Sequence, residues 1–167
     1  MNVGNQILFT VGSVLRGDDA AGPMLTQLCE EDPIEGWSVI DGGQTPEDDL
    51  VLIRRAHPKR LVLVDAADMG LEPGSVRAIT PEEVATQALI TTHSLPITFL
   101  LGQLEECCDE ILFVGIQPQD TSFFNPLTPE VMKAVRFVYD WVAAGADFAI
   151  SIKERDFAMF AGARESR

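Results

Sequence analysis

The sequence predicts an α/β domain of three layers, with a mainly parallel, twisted sheet of about five strands and helices on both faces. Two observations carry this expectation. Ile7-Leu8-Phe9-Thr10-Val11, Leu61-Val62-Leu63-Val64 and Ile111-Leu112-Phe113-Val114-Gly115-Ile116 are nearly continuous apolar runs, as in strands covered on both faces. Between them lie stretches with apolar residues three and four apart, so strands alternate with helices as βαβ units.

In chain order, the first strand is expected over about Gln6 to Val11. A helix follows from near Asp19–Pro23 to about Glu31, with Pro23 tolerable only in its first turn. Pro33 and Gly36 turn the chain into a short strand, Trp37-Ser38-Val39-Ile40, which ends at Asp41-Gly42-Gly43. Thr45-Pro46-Glu47-Asp48 combines a capping hydroxyl, a first-turn Pro and acids at the positive end of a helix, which carries Leu50 and Ile53 and stops before Pro58. The strand Leu61 to Val64 ends at Asp65, and Val76 to Ile79 is a further strand. Thr80-Pro81-Glu82-Glu83 repeats the cap, Pro and acid signal, and Ser94-Leu95-Pro96 opens a helix with Ile97, Leu100, Leu101 and Leu104. The strand Ile111 to Ile116 ends at Gln117-Pro118. Thr128-Pro129-Glu130 starts a long helix whose stripe is Val131, Val135, Val138 and Val142, with Gly145 as its stop. Residues 1–145 are expected to form one domain, and the tail from Ala146 to Arg167 (146–167) has no clear period and is expected to fray.

Composition narrows the function. The chain has 167 residues and a formal charge of −14, which argues against nucleic acid, since phosphate contacts need a basic face. No apolar run reaches the roughly 18–20 residues that span a bilayer, and Met1-Asn2-Val3-Gly4-Asn5 does not read as a signal peptide. Cys29, Cys107 and Cys108 make an odd count with no Cys-x-x-Cys clip, so reduced thiols and a cytoplasmic location are expected. None of the three is assigned a catalytic role.

Polar residues follow the strands where ligands bind in open α/β sheets, at the carboxyl edge. Asp18-Asp19 follows the first strand, Asp41 the second and Asp65 the third, with Asp68 close by; His93 lies on the loop before a helix. His57 precedes a strand and so falls at the opposite edge. Singly these are ordinary residues: an N-cap, a turn, a helix start. Together, clustered like charges raise one another's pKa unless a cation or a shared proton relieves them. Asp, Asp and His suit a borderline divalent ion such as Zn or Ni better than Mg.

These residues resemble the hydrogenase maturation proteases, endopeptidases that trim the C-terminus of the [NiFe]-hydrogenase large subunit. The matching stretches are Gly12-Ser13, Asp18-Asp19-Ala20-Ala21-Gly22, Asp41-Gly42-Gly43, Val64-Asp65-Ala66 and Thr92-His93. Further similarity runs through Thr45 to Asp49, Asp68-Met69-Gly70, Pro96 to Leu104 and Val114 to Pro118, and is closest to the branch serving the formate-hydrogenlyase hydrogenase. Ser13 stands where the family usually has Asn, and Ala20 where it often has Gly, which excludes an easy positive φ there.

The resemblance implies removal of a C-terminal extension from the large-subunit precursor after nickel insertion, by an aspartic-type endopeptidase acting as a monomer. It implies Asp19, Asp65 and His93 as the nickel-contacting residues, with Asp41 a further acidic residue of the catalytic site. The nickel would come with the substrate, with no metal held tightly by the protease itself. No Gly-x-Ser-x-Gly elbow and no His-Glu-x-x-His is present. The ion could locate the scissile bond, polarise its carbonyl or acidify a water, and Asp41 or another carboxylate could act as general base. Two rival readings remain at this level: a receiver-like signalling domain that binds Mg²⁺ and takes phosphate on Asp65, and a non-catalytic nickel-binding chaperone. Against the receiver, Gln117 and Pro118 follow the last strand where a Lys is expected.

Overall fold

The structure, a computed structural model, describes residues 4–86 and 97–148. Its elements are β1 (Gln6–Thr10), a 3-10 turn (Gly17–Ala20), α1 (Ala21–Glu31), β2 (Ser38–Asp41), a second 3-10 turn (Pro46–Asp49), α2 (Leu50–Ala56), β3 (Arg60–Ala66), β4 (Val76–Ile79), α3 (Pro81–Thr86), α4 (Ile97–Cys107), β5 (Glu110–Ile116) and α5 (Pro129–Ala143). The sheet has five strands in the order β2-β1-β3-β5-β4. All neighbours are parallel except β4, which closes the edge antiparallel to β5. The expected α/β architecture is therefore present. Among the described residues no helix is long and apolar enough to cross a membrane.

Alternation along the strands builds two cores. Leu8, Val62, Val64, Leu112 and Val114 face α1 and α5. Ile7, Phe9, Leu61, Leu63 and Phe113 face α2 and α4. Both sides of the central strands are dry, which is why those strands read as unbroken apolar runs. On α5 the four stripe valines are fully buried, and Gly145 takes φ +112 at its end.

The starts of the helices separate what local signals can do from what they cannot. Thr80 and Glu83 form the reciprocal box: Glu83 N–H donates to Thr80 Oγ1, and Thr80 N–H to Glu83 Oε2. Thr45 makes no such bond, and Pro46–Asp49 is a 3-10 turn ahead of α2. Asp18 and Asp19 cap nothing in α1 either, whose N-cap is Ala20.

Arg60, which the sequence does not single out, holds the end of α5. Its guanidinium lies 5.3 Å from the Trp37 ring centroid and 4.5 Å from that of Phe148. It also donates to the carbonyls of Gly145 and Ala146. Of the tail expected from Ala146, Ala146 is buried and Phe148 packs against Arg60 and the core, and 149–167 lie outside the described residues. Arg60→Ala should cost about 2 kcal/mol, through two ring contacts and the charged hydrogen bonds. Arg60→Lys should recover only part, because an ammonium cannot stack as a plane. Urea unfolding of the three proteins gives the ordering.

Candidate active site

The loop after β1 is folded around a carboxylate. Ser13 N–H donates to Asp19 Oδ2 at 2.9 Å, and Asp19 is 1% exposed. Gly12 takes φ +147, and a Cβ there would meet the Asp19 carbonyl oxygen at 2.0 Å, so only glycine lets the loop return this closely. Ser13 supplies its backbone N–H to Asp19, while its Oγ accepts from Leu15 N–H. Ala20 has φ −77, so nothing at that position calls for glycine.

The second carboxylate of the pair has a structural task. Asp18 is fully buried. Its Oδ2 accepts the N–H groups of Gln119 and Asp120 at 2.8 and 3.1 Å. Its Oδ1 accepts Thr128 N–H at 2.7 Å, and the Thr128 hydroxyl donates to the same carboxylate at 2.9 Å. Asp18 N–H also donates to Asp120 O. A negative charge from the β1–α1 loop therefore sits at the N-terminus of α5, where the helix dipole favours an anion. Asp19 is bound within its own loop, whereas Asp18 serves a helix more than 100 positions away.

Asp65, at the end of β3, is fully buried. It sits opposite Gly115 of β5 and, by alternation, on the face of Leu61 and Leu63 that α2 and α4 cover. The turn carrying Asp19 touches β3. Beyond Asp65 the chain is held by Gln117, a residue to which the sequence reading gave no place in the site. Its Oε1 accepts Met69 N–H at 2.6 Å and Leu71 N–H at 3.3 Å, and its Nε2 donates to Asp68 Oδ1 at 3.2 Å. The signal was available: a polar side chain directly after a buried strand must find partners. A pocket of about 200 Å³ opens here, lined by Asp19, Ala66, Asp68, Gln117, Pro118, Gln119 and Thr121. It has room for a side chain or two and offers carboxylate and amide oxygens.

The other candidates fall elsewhere. Asp41 is exposed at the end of β2, with β1 between it and β3; its Oδ1 accepts Gly43 N–H, and it does not line the pocket. Its acidic neighbour is Asp49, whose carboxyl is held above the usual range by burial, then by Asp48 and Asp41. His57 lies at the N-terminal edge, exposed, 3.2 Å from Asp109. His93 belongs to the 87–96 link between α3 and α4 and lies outside the described residues. Among the described residues no three His, Cys, Asp or Glu side chains form a metal-binding group. Burial pushes the Cys29 thiol up to about 11 and the Cys108 thiol up to about 12, so both stay protonated at neutral pH and neither is a thiolate nucleophile. The receiver reading fails on topology: β5 rather than β4 follows β3 in the sheet, and the edge strand is antiparallel.

Comparison with known proteins adds an independent finding. A family model described as hydrogenase maturation protease matches residues 24–144. The chain is 42% identical over 152 residues to the Hydrogenase 3 maturation protease of Escherichia coli K12, spanning 89% of this chain and 97% of that protein. It superposes on the solution structure of the endopeptidase HycI from Escherichia coli with a TM-score of 0.80 at 43% identity, covering 86% of this chain and 92% of the other. The crystal structure of HycI from Thermococcus kodakarensis shares the fold with a TM-score of 0.73 at 24% identity, over 84% of this chain and 91% of that one.

Two outcomes follow from this geometry. Asp18→Ala should destabilise the protein by about 3 kcal/mol or more, since it orphans the donors of Gln119, Asp120 and Thr128, whereas Asp19→Asn should cost about 1 kcal/mol; urea unfolding separates them. At pH 7 iodoacetamide should leave Cys29 and Cys108 unmodified in the folded protein and label them in urea, read by intact mass.

Proposed function

We propose, from the premise that this chain belongs to the hydrogenase maturation protease family and is an endopeptidase, that it removes the C-terminal extension of a [NiFe]-hydrogenase large-subunit precursor once nickel has been inserted. The observation that carries the reading to particular residues is a pair of buried carboxylates, Asp65 at the end of β3 and Asp19 on the turn that touches β3, with Asp19 lining the pocket. Asp19, Asp65 and His93 are the proposed contacts to the nickel of the substrate, and Asp41 is a more distant acidic residue. Two carboxylates and an imidazole are a partial set of donors; the precursor's own thiolates complete the shell of the ion. The three residues thereby act as a sensor: cleavage is licensed by the ion, and empty subunits are spared. Reaction takes place in the cytoplasm, where the free thiols of Cys29, Cys107 and Cys108 stay reduced.

The experiment compares nickel-free and nickel-loaded precursor incubated with the purified protein, with loss of the C-terminal peptide read by mass spectrometry. Nickel-loaded precursor should be cut and nickel-free precursor should resist. Asp19→Ala, Asp65→Ala and His93→Ala should each lower processing more than 100-fold with the fold retained, while His57→Ala should process normally. The resting protein should carry well under one equivalent of Ni or Zn by elemental analysis; a stoichiometric resident metal, or equal cutting of both precursors, would sink the sensor reading.

A further inference from the structure

Beside the pocket, the two loops clamped by Asp18 turn apolar side chains outward. Val14 is 70% exposed, Leu15 50%, Phe123 59% and Phe124 83%. These are four of the six large apolar side chains that the described residues leave in solvent. They form one surface. Phe124 N–H donates to Leu15 O at 2.7 Å, Arg16 lies 4.7 Å from the Phe123 ring centroid, and Arg16 Nε–H donates to Thr121 O. Gly17, at φ +53, lets the loops close, since a Cβ there would meet Asp120 O at 2.3 Å. Phe124 itself sits at φ +66, a left-handed conformation that costs a bulky residue about 1 kcal/mol or more. Strain held so that a ring stays in water is a mark of use rather than of folding.

We propose that this surface docks the segment of the precursor polypeptide next to the scissile bond, and that this segment is apolar and not acidic; the proposal rests on the protease reading above. The surface is continuous with the pocket, because Gln119 and Thr121 line the pocket from the loop of Phe123 and Phe124, and Asp19 lines it from the loop of Val14 and Leu15. Its size fits a segment. Four such side chains offer roughly 500 Å², short of the roughly 800 Å² per partner that a stable dimer buries. Charge excludes a second copy and an acidic ligand alike: the chain carries −14, Asp19 and Asp68 line the pocket, and hydrogen bonds from Ser122 and Asn125 hold Asp120 ionised below the usual range.

The test is the double variant Phe123→Ser, Phe124→Gly in the full chain, with nickel-loaded large-subunit precursor as substrate. Glycine relieves the positive φ, so the variant should keep its thermal midpoint. KM should rise tenfold or more with kcat within twofold, the pattern of lost ground-state binding, while the control Val51→Ser on α2 should match wild type. An unchanged KM overturns the proposal, as does a wild-type dimer in sedimentation that the double variant dissolves. Affinity for precursor measured on Asp19→Asn separates this surface from the protease reading. If wild type cuts no precursor, the protease reading fails, and a tenfold weaker Kd on adding the two Phe substitutions still upholds the surface. An unchanged Kd overturns it.

Discussion

One buried carboxylate organises the working edge of this protein. Asp18 is shut away from water, which is costly for an ion unless every lone pair is used. Here it takes two backbone N–H groups from one loop and a backbone N–H and a hydroxyl from the start of α5. The β1–α1 and β5–α5 loops therefore cannot move independently. The position of Asp19, the floor of the pocket at Gln117 to Gln119 and the exposed aromatic pair all follow from that junction.

The remainder of the edge is built by the same economy of polar groups. Gln117 leaves a buried strand and spends its amide on Met69, Leu71 and Asp68, so the segment after Asp65 is held from the neighbouring strand rather than by its own turn. A rigid edge matters for a protease, which must hold its substrate in place before it is cut. Asp65 stands at the end of β3, a central strand hydrogen-bonded to a neighbour on each side, and Asp19 stands on the 3-10 turn that touches β3.

The departures of this chain from its relatives' usual loop are accommodated without distortion. Where Asn is usual, Ser13 serves the loop through its backbone N–H, which any residue supplies, and its shorter hydroxyl finds Leu15 N–H. Where Gly is frequent, Ala20 sits at a negative φ. The requirement for glycine falls instead on Gly12 and Gly17, at close backbone approaches.

What the sequence alone determined was whatever depends on neighbours in the chain. Apolar runs and three-four spacing place the strands and helices, because burial on two faces or on one stripe is a local pattern; Val131, Val135, Val138 and Val142 are read correctly for that reason. The family resemblance adds the order of motifs along the edge. Tertiary structure decided the rest. Which of two adjacent carboxylates faces the pocket depends on a helix start more than 100 residues on, and Thr128, legible as a helix start, spends its hydroxyl on Asp18 rather than on a cap. Asp41 looks equivalent to Asp65 in sequence, yet β1 comes between their strands and one is exposed where the other is buried. The strand order, the antiparallel edge and the stacking of Arg60 between Trp37 and Phe148 are long-range choices of the same kind. They are set by which surfaces can be buried together, and no window of sequence contains that information.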